Sequence, residues 1–234
     1  MLSIAAAQFF PSVPQIDRIT PAHHSDWVTV ERPFPAFALD IREAAGIPAN
    51  YVIRRQPETG GRKDIMTLGE AQSEAPYLEV VLYRPGRETA APIESEDELR
   101  SLADEAGPVA DFRALAPLLT KFGPLSLAAF DVSATTPRHC LGFVRNFDEP
   151  PLEISGRFCQ GGADFIERST LACALDRLTL LAAGSEPRLG DLFAKAELNR
   201  NFCGERDPIL APTPKYKLLW QALATRPEPH RIGR

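Results

Sequence analysis

Apolar residues between Ile166 and Cys203 recur at the spacing of a helix face. Leu171, Ala174, Leu175, Leu178, Leu181 and Ala182 follow the i, i+3, i+4, i+7 pattern. Cys173 and Leu180 fall towards the opposite side, and only Arg168, Asp176, Arg177 and Thr179 supply a polar edge. A helix that is apolar on more than one side has to be covered on more than one side, so the pattern predicts a central helix here. Gly184 suits the left-handed backbone of a helix C-terminus. Ser185-Glu186-Pro187 then reads as the start of a second helix, with an N-cap hydroxyl and an early proline. That helix places Leu189, Leu192, Phe193 and Ala196 on one face, and Asp191 and Lys195 at i, i+4 on the other. So short a loop predicts an antiparallel helical hairpin.

Elsewhere the period is two. Tyr77–Arg84 alternates, with Leu78, Val80 and Leu82 facing one way and Tyr77, Glu79, Val81 and Tyr83 the other, until Pro85-Gly86 stops it. Tyr51–Gln56 and Asp64–Leu68 flank Gly60-Gly61, a hairpin signal. Arg54, Arg55, Arg62 and Lys63 make this 51–68 hairpin basic, which suits a charged, guarded edge. Val28–Arg32 predicts a strand ended by Pro33. Phe34, Phe37 and Leu39 predict a packed extended segment, and Asp40–Ala45 at most a short helix. Ser95-Glu96-Asp97-Glu98 is a capping box that opens a helix running to Ala106, where Gly107-Pro108 ends it. Asp111–Lys121 predicts a helix with Leu115, Leu118 and Leu119 inward, and Leu125–Val132 predicts a strand. The order implies an α+β fold: a mainly antiparallel sheet built from hairpins, packed against a C-terminal antiparallel helical hairpin. Residues 1–26 read as an irregular lead-in, 27–206 as one α+β domain, and 207–234 as a proline-rich tail. The link 85–94 is the one candidate internal boundary.

One hairpin can be registered from its spacing alone. Cys140–Phe147 and Leu152–Cys159 flank the connection Asp148-Glu149-Pro150-Pro151. Symmetric pairing about that loop opposes Phe147 with Leu152, Arg145 with Ile154, Phe143 with Gly156, and Leu141 with Phe158. This set is nearly all apolar, and it shares one side of the pleat. The other side pairs Cys140 with Cys159, Gly142 with Arg157, Val144 with Ser155, and Asn146 with Glu153. A slip of one residue would mix the two sets. The register sets two thiols face to face, with Arg157 and a following helix start as features that lower a thiol pKa. Reduced thiols under a further layer, a disulfide, and a nucleophilic Cys159 with His139 are the three readings. His139 neighbours Cys140 in sequence and so points to the opposite face. Cys173 and Cys203, by contrast, are mismatched along the expected helical hairpin, which speaks against a bond between them.

Composition narrows the function classes. A net charge of −5 and pI near 5.5 offer no global attraction for nucleic acid or an anionic membrane. No apolar run reaches the roughly 20 residues of a membrane span. Four cysteines are few for a disulfide scaffold of this length, so the expected compartment is the cytoplasm, with free thiols. His23-His24 has no Cys or carboxylate at metal-ligand spacing, and no phosphate-binding, dinucleotide, hydrolase or zinc motif occurs. No cofactor or metal is therefore expected. The leading functional reading is a non-catalytic interaction or regulatory protein. It would engage a protein partner through the 51–68 hairpin or through Tyr216, Trp220 and Leu223 of the tail. The alternative is an enzyme with thiol or redox chemistry around Cys159, Cys140, Arg157 and His139.

Overall fold

The computed structural model describes residues 27–32, 34–41, 46–87, 95–133, 137–161, 166–184, 186–200 and 203. Its centre is an eight-stranded, wholly antiparallel sheet. The strands are β1 (Val28–Thr29), β3 (Ala49–Arg55), β4 (Arg62–Leu68), β5 (Tyr77–Arg84), β6 (Val109–Thr120), β7 (Gly123–Val132), β8 (Arg138–Phe147) and β9 (Leu152–Gly161). Their order across the sheet is β1-β3-β4-β5-β9-β8-β7-β6, so strands from both sides of the 85–94 link join directly, β5 against β9. A separate two-stranded ribbon pairs β2 (Phe37–Leu39) with β10 (Leu178–Leu180). The α+β class and the antiparallel sheet expected from the sequence are both present.

Period-two alternation gives the sheet two buried faces. One carries Leu78, Val80, Leu82, Leu141, Phe143, Ile154 and Phe158. It is covered by Leu171 and Leu175 of α2 (Arg168–Asp176), by Phe37 and Leu178 of the ribbon, and by Leu189 and Phe193 of α3 (Pro187–Leu198). Phe193 packs on Phe37 and Phe122 with ring centroids 5.5 and 5.3 Å away. The other face receives α1 (Ser95–Ala106), whose Leu99, Leu102 and Ala103 pack on Ala128, Phe130, Cys140, Val144 and Cys159. Where β5 and β9 approach, only glycine fits. A Cβ on Gly156, at φ +154°, would collide with the Glu79 carbonyl oxygen.

Two helical expectations are corrected. Asp111–Lys121 is not a helix: through Thr120 it belongs to β6, which carries two register shifts against β7, after Ala110 and after Leu115, and the second puts Leu115 and Leu118 into the same core. Each shift inserts one extra residue. Pro117 sits in the second, where a missing N–H costs nothing, and Arg168 donates to the carbonyls of Ala116 and Pro117. Leu118 is buried, but Leu119 is 71% exposed rather than inward. β6 is an outer strand, and these devices blunt its edge.

The second correction concerns 166–203. The helix α2 stops at Asp176, and Leu178–Leu180 leaves it to pair with Leu39–Phe37. The leucines at helical spacing are thus split between α2 and β10, and no two-helix hairpin with a short loop forms. Leu178 is fully buried all the same. Gly184 does adopt a left-handed φ of +64°, but it ends the segment after β10. Glu186, not Ser185, is the N-cap of α3, accepting from the Arg188 N–H with Pro187 at the first helical position. Phe34, expected to pack, is 91% exposed.

The hairpin at 51–68 forms as expected, turned by Gln56, whose side-chain oxygen accepts from the Thr59 N–H at 2.7 Å. It is less basic at its surface than its composition implies. Asp64 is fully buried and accepts from Arg62 at 2.6 and 2.8 Å, from Arg84 at 3.0 Å and from the Tyr51 hydroxyl at 2.7 Å. Lys63 lies between the Trp27 and Tyr83 rings, 5.1 and 5.5 Å from their centroids. Only Arg54 and Arg55 remain exposed, and both pair with β1. The Tyr51 hydroxyl also accepts from the Ala36 and Phe37 N–H groups and so clips the ribbon to the sheet.

Burial pushes the Tyr51 phenol up to about 12, with the Asp64 charge adding to the effect. Burial beside Glu79 pushes Tyr77 up to about 12 as well. Both folded-state values lie above the unfolded 10.0, so this stabilisation is whole below pH 10 and lost as pH rises towards 12. Stability should therefore fall steeply across that window. Spectrophotometric titration should show Tyr51 and Tyr77 ionising only as the fold is lost. Replacing both tyrosines by phenylalanine should flatten the loss, and an unchanged slope would refute the assignment.

Candidate functional site

The registered hairpin is present with every expected pair, from Cys140 opposite Cys159 to Phe147 opposite Leu152. The two cysteines, 4.1 Å apart at Cα, are joined as a disulfide. The expectation of free thiols is therefore corrected: the register places the two sulfurs within bonding reach, and they are bonded. Both are buried with Ala103, Phe130 and Val132 beneath α1. Arg157 is spoken for too. It donates to the Leu102 carbonyl at 3.1 Å and pairs with Glu79 at 3.2 Å, while Glu79 accepts from the Tyr77 hydroxyl at 2.8 Å. Helix, arginine, carboxylate and phenol close over the polar side of the hairpin.

His139 lies on the other side, as its position demands. Its Nδ1 is 2.7 Å from Asp131 Oδ1, its register partner on β7. With Asp111, Arg113, Leu115, Ile166 and Arg168 it lines a groove of about 410 Å³. Three of the four sequence candidates thus meet, Cys140, Cys159 and Arg157; His139 lies on the opposite face of the strand, and the groove it lines also reaches Cys140.

A second disulfide joins Cys173 to Cys203, with Cα atoms 5.5 Å apart. The expected mismatch between them holds only for one helix continuing beyond Leu178. With α2 ended at Asp176, α3 returns past its last turn, where Arg200 reaches Asp176 at 3.9 Å and Glu197 at 3.6 Å. The mismatch along the axis disappears with the helix that caused it.

A larger groove, about 520 Å³, opens between α3 and the end of the sheet where β6 turns into β7 and β8 into β9. Its floor holds Phe122 and Lys121, whose side chain is fully buried. Lys121 donates to the Leu178 carbonyl at 2.6 Å and to Glu197 on α3, and burial still holds its ammonium below the usual range. Arg145 lies alongside, its guanidinium 5.0 Å from the Phe147 ring centroid. The Arg145 Nε is buried and has no hydrogen-bond partner among the described residues. Leu192 and Lys195 of α3 complete the wall. Arg145 is not among the candidates that motifs and spacing pick out. A signal for it exists in the sequence, since it is the one charged member of the apolar set that registers the hairpin.

The other expected contact surfaces are narrow or out of view. β4 is internal to the sheet, and β1 covers β3 at Arg54 and Arg55, so among the described residues the edge of β3 is open only near Ala49–Val52. Tyr216, Trp220, Leu223 and His23-His24 lie outside the described residues. Among the described residues no helix is long and apolar enough to cross a membrane. The chain matches no protein-family model, no curated protein and no solved structure.

Proposed function

We propose that the chain is a non-catalytic interaction or regulatory protein that works in an oxidising compartment. The carrying observation is the closure of the face that holds the cysteines: the Cys140–Cys159 bond lies under α1, and Arg157 is paired with Glu79 and the Leu102 carbonyl. A nucleophile needs an ionised, reachable thiolate, and a buried disulfide supplies neither. Two disulfides favour an oxidising compartment over the cytoplasm expected from composition, because cytosolic reductants keep most thiols reduced. Binding would fall to surfaces away from this face. The alternative, a thiol or redox enzyme centred on Cys159, requires the bond to open in the folded protein.

Native-state alkylation separates the two. After mild reduction without denaturant, Cys140 and Cys159 should stay unlabelled, and label should enter them only when the chain unfolds. Selective alkylation of Cys159 in the folded protein, faster than a free cysteine at neutral pH, would overturn the reading in favour of the enzyme.

A further inference from the structure

We propose that the groove between α3 and the β8–β9 turn binds a small organic anion. Its acidic group would pair with Arg145 and its apolar body would lie on Phe147 and Leu192. This deepens the binding-protein reading by naming a ligand class. Its failure would leave the sealed cysteine face, and the reading built on it, untouched.

Taking a cation out of water is costly unless an anion and hydrogen-bond acceptors replace the water. Asp64 does this for Arg62 and Arg84, Glu79 for Arg157, and Glu197 with the Leu178 carbonyl for Lys121. Arg145, half-buried, does not follow this pattern, and neither does Arg138 at the far end of the same strand, which has no carboxylate partner among the described residues and keeps Nε and one Nη buried without acceptors. Arg145 projects from the apolar side of β8, its Nε is buried without an acceptor, and among the described residues no carboxylate pairs with it. Its guanidinium is held against Phe147, which fixes the direction of its donor fork.

The surroundings select the ligand. Four cations line the groove, Lys121, Arg145, Arg188 and Lys195, against two carboxylates, Glu149 and Asp191. Glu149 is engaged at the open rim with Arg188, 3.8 Å away, and Asp191 is likewise exposed on α3. The acids are thus exposed, whereas the unpaired Arg145 is half-buried beside Phe147. A volume near 520 Å³ suits a small molecule, and the apolar wall asks for more than a bare ion. A planar fork recognises carboxylate or phosphate in two-point fashion, and the structure favours neither over the other.

Amide NMR titration of the full chain with benzoate, phenyl phosphate and neutral benzamide decides the matter. One or both acids should bind saturably, shifting the amides of Arg145, Phe147 and Leu192, and benzamide should not. The tighter acid identifies the headgroup. Arg145→Gln should weaken binding roughly tenfold or more, since a charged two-point contact is lost. Lys195→Gln, at an exposed position, should weaken it less. Should Arg145→Gln fail to fold, Arg145→Lys keeps the charge but loses the fork, and should still weaken binding. Equal affinity in the folded Arg145 variant, equal binding of benzamide, or no saturable binding of either acid would overturn the proposal.

Discussion

Replacing Asp64 with alanine is expected to destabilise the protein by about 3–5 kcal/mol, the cost of breaking a buried ion pair from one side. The carboxylate is fully buried and satisfies three partners at once: Arg62, Arg84 and the Tyr51 hydroxyl. Alanine would leave two guanidinium groups, only 18% and 21% exposed, facing each other without a counter-charge. It would also strip the acceptor from Tyr51, whose oxygen holds the Ala36 and Phe37 N–H groups and with them the β2/β10 ribbon. Asp64→Asn keeps an acceptor for Tyr51 but not the charge, and should fall between alanine and wild type. Arg54→Ala, on the exposed end of the same hairpin, should stay within about 0.5 kcal/mol of wild type. Urea unfolding at neutral pH measures all three. A loss below about 1 kcal/mol for Asp64→Ala would mean that water enters the cluster and the arginines need no partner.

How much of this fold is legible in the sequence depends on which period a stretch obeys and on what covers it. Tyr77–Arg84 and the Cys140–Cys159 hairpin are readable because alternation over eight or more residues admits one strand register, and both are as read. The capping box at Ser95 locates α1 for a similar reason, since its signal is local. The errors arise where tertiary pairing overrides a local pattern. Leu115 and Leu118 mimic helical spacing because one bulge adds a residue between them on an edge strand, while Leu119 is exposed. Leu178 continues the helical spacing of Leu171 and Leu175, yet Phe37–Leu39 captures Leu178–Leu180 as a strand, a contact between distant parts of the chain that periodicity cannot see. The site follows the same logic. Facing cysteines can be read from register, whereas Glu79 as the partner of Arg157 requires knowing that β5 lies beside β9. Arg145 is legible as an exception and illegible as a site, because Lys121 and α3 join it only in three dimensions.

Replacing Cys140 and Cys159 together with alanine should cost about 3 kcal/mol while leaving the hairpin in register. The bond spans 19 residues of sequence, and loop-closure entropy removed from the unfolded chain accounts for a figure of that size. Register should survive because it does not rest on the bond. Phe143 over Gly156, Leu141 beside Phe158 and Phe147 beside Leu152 still divide the apolar face from the polar one. β5 and β7 hold the two strands from outside at the same time, across seven paired positions each. Two checks bear on this. Non-reducing peptide mapping of the wild type should recover Cys140 with Cys159 and Cys173 with Cys203, and a Cys140–Cys173 peptide would contradict this topology. In the double-alanine variant, cross-strand NMR contacts between Gly142 and Arg157 should persist even as the denaturation midpoint falls. Loss of those contacts would show that the covalent link, not the alternation of side chains, sets the pairing. A midpoint unchanged from wild type would instead mean that the unfolded chain already keeps these strands together, so that closing the loop removes little entropy.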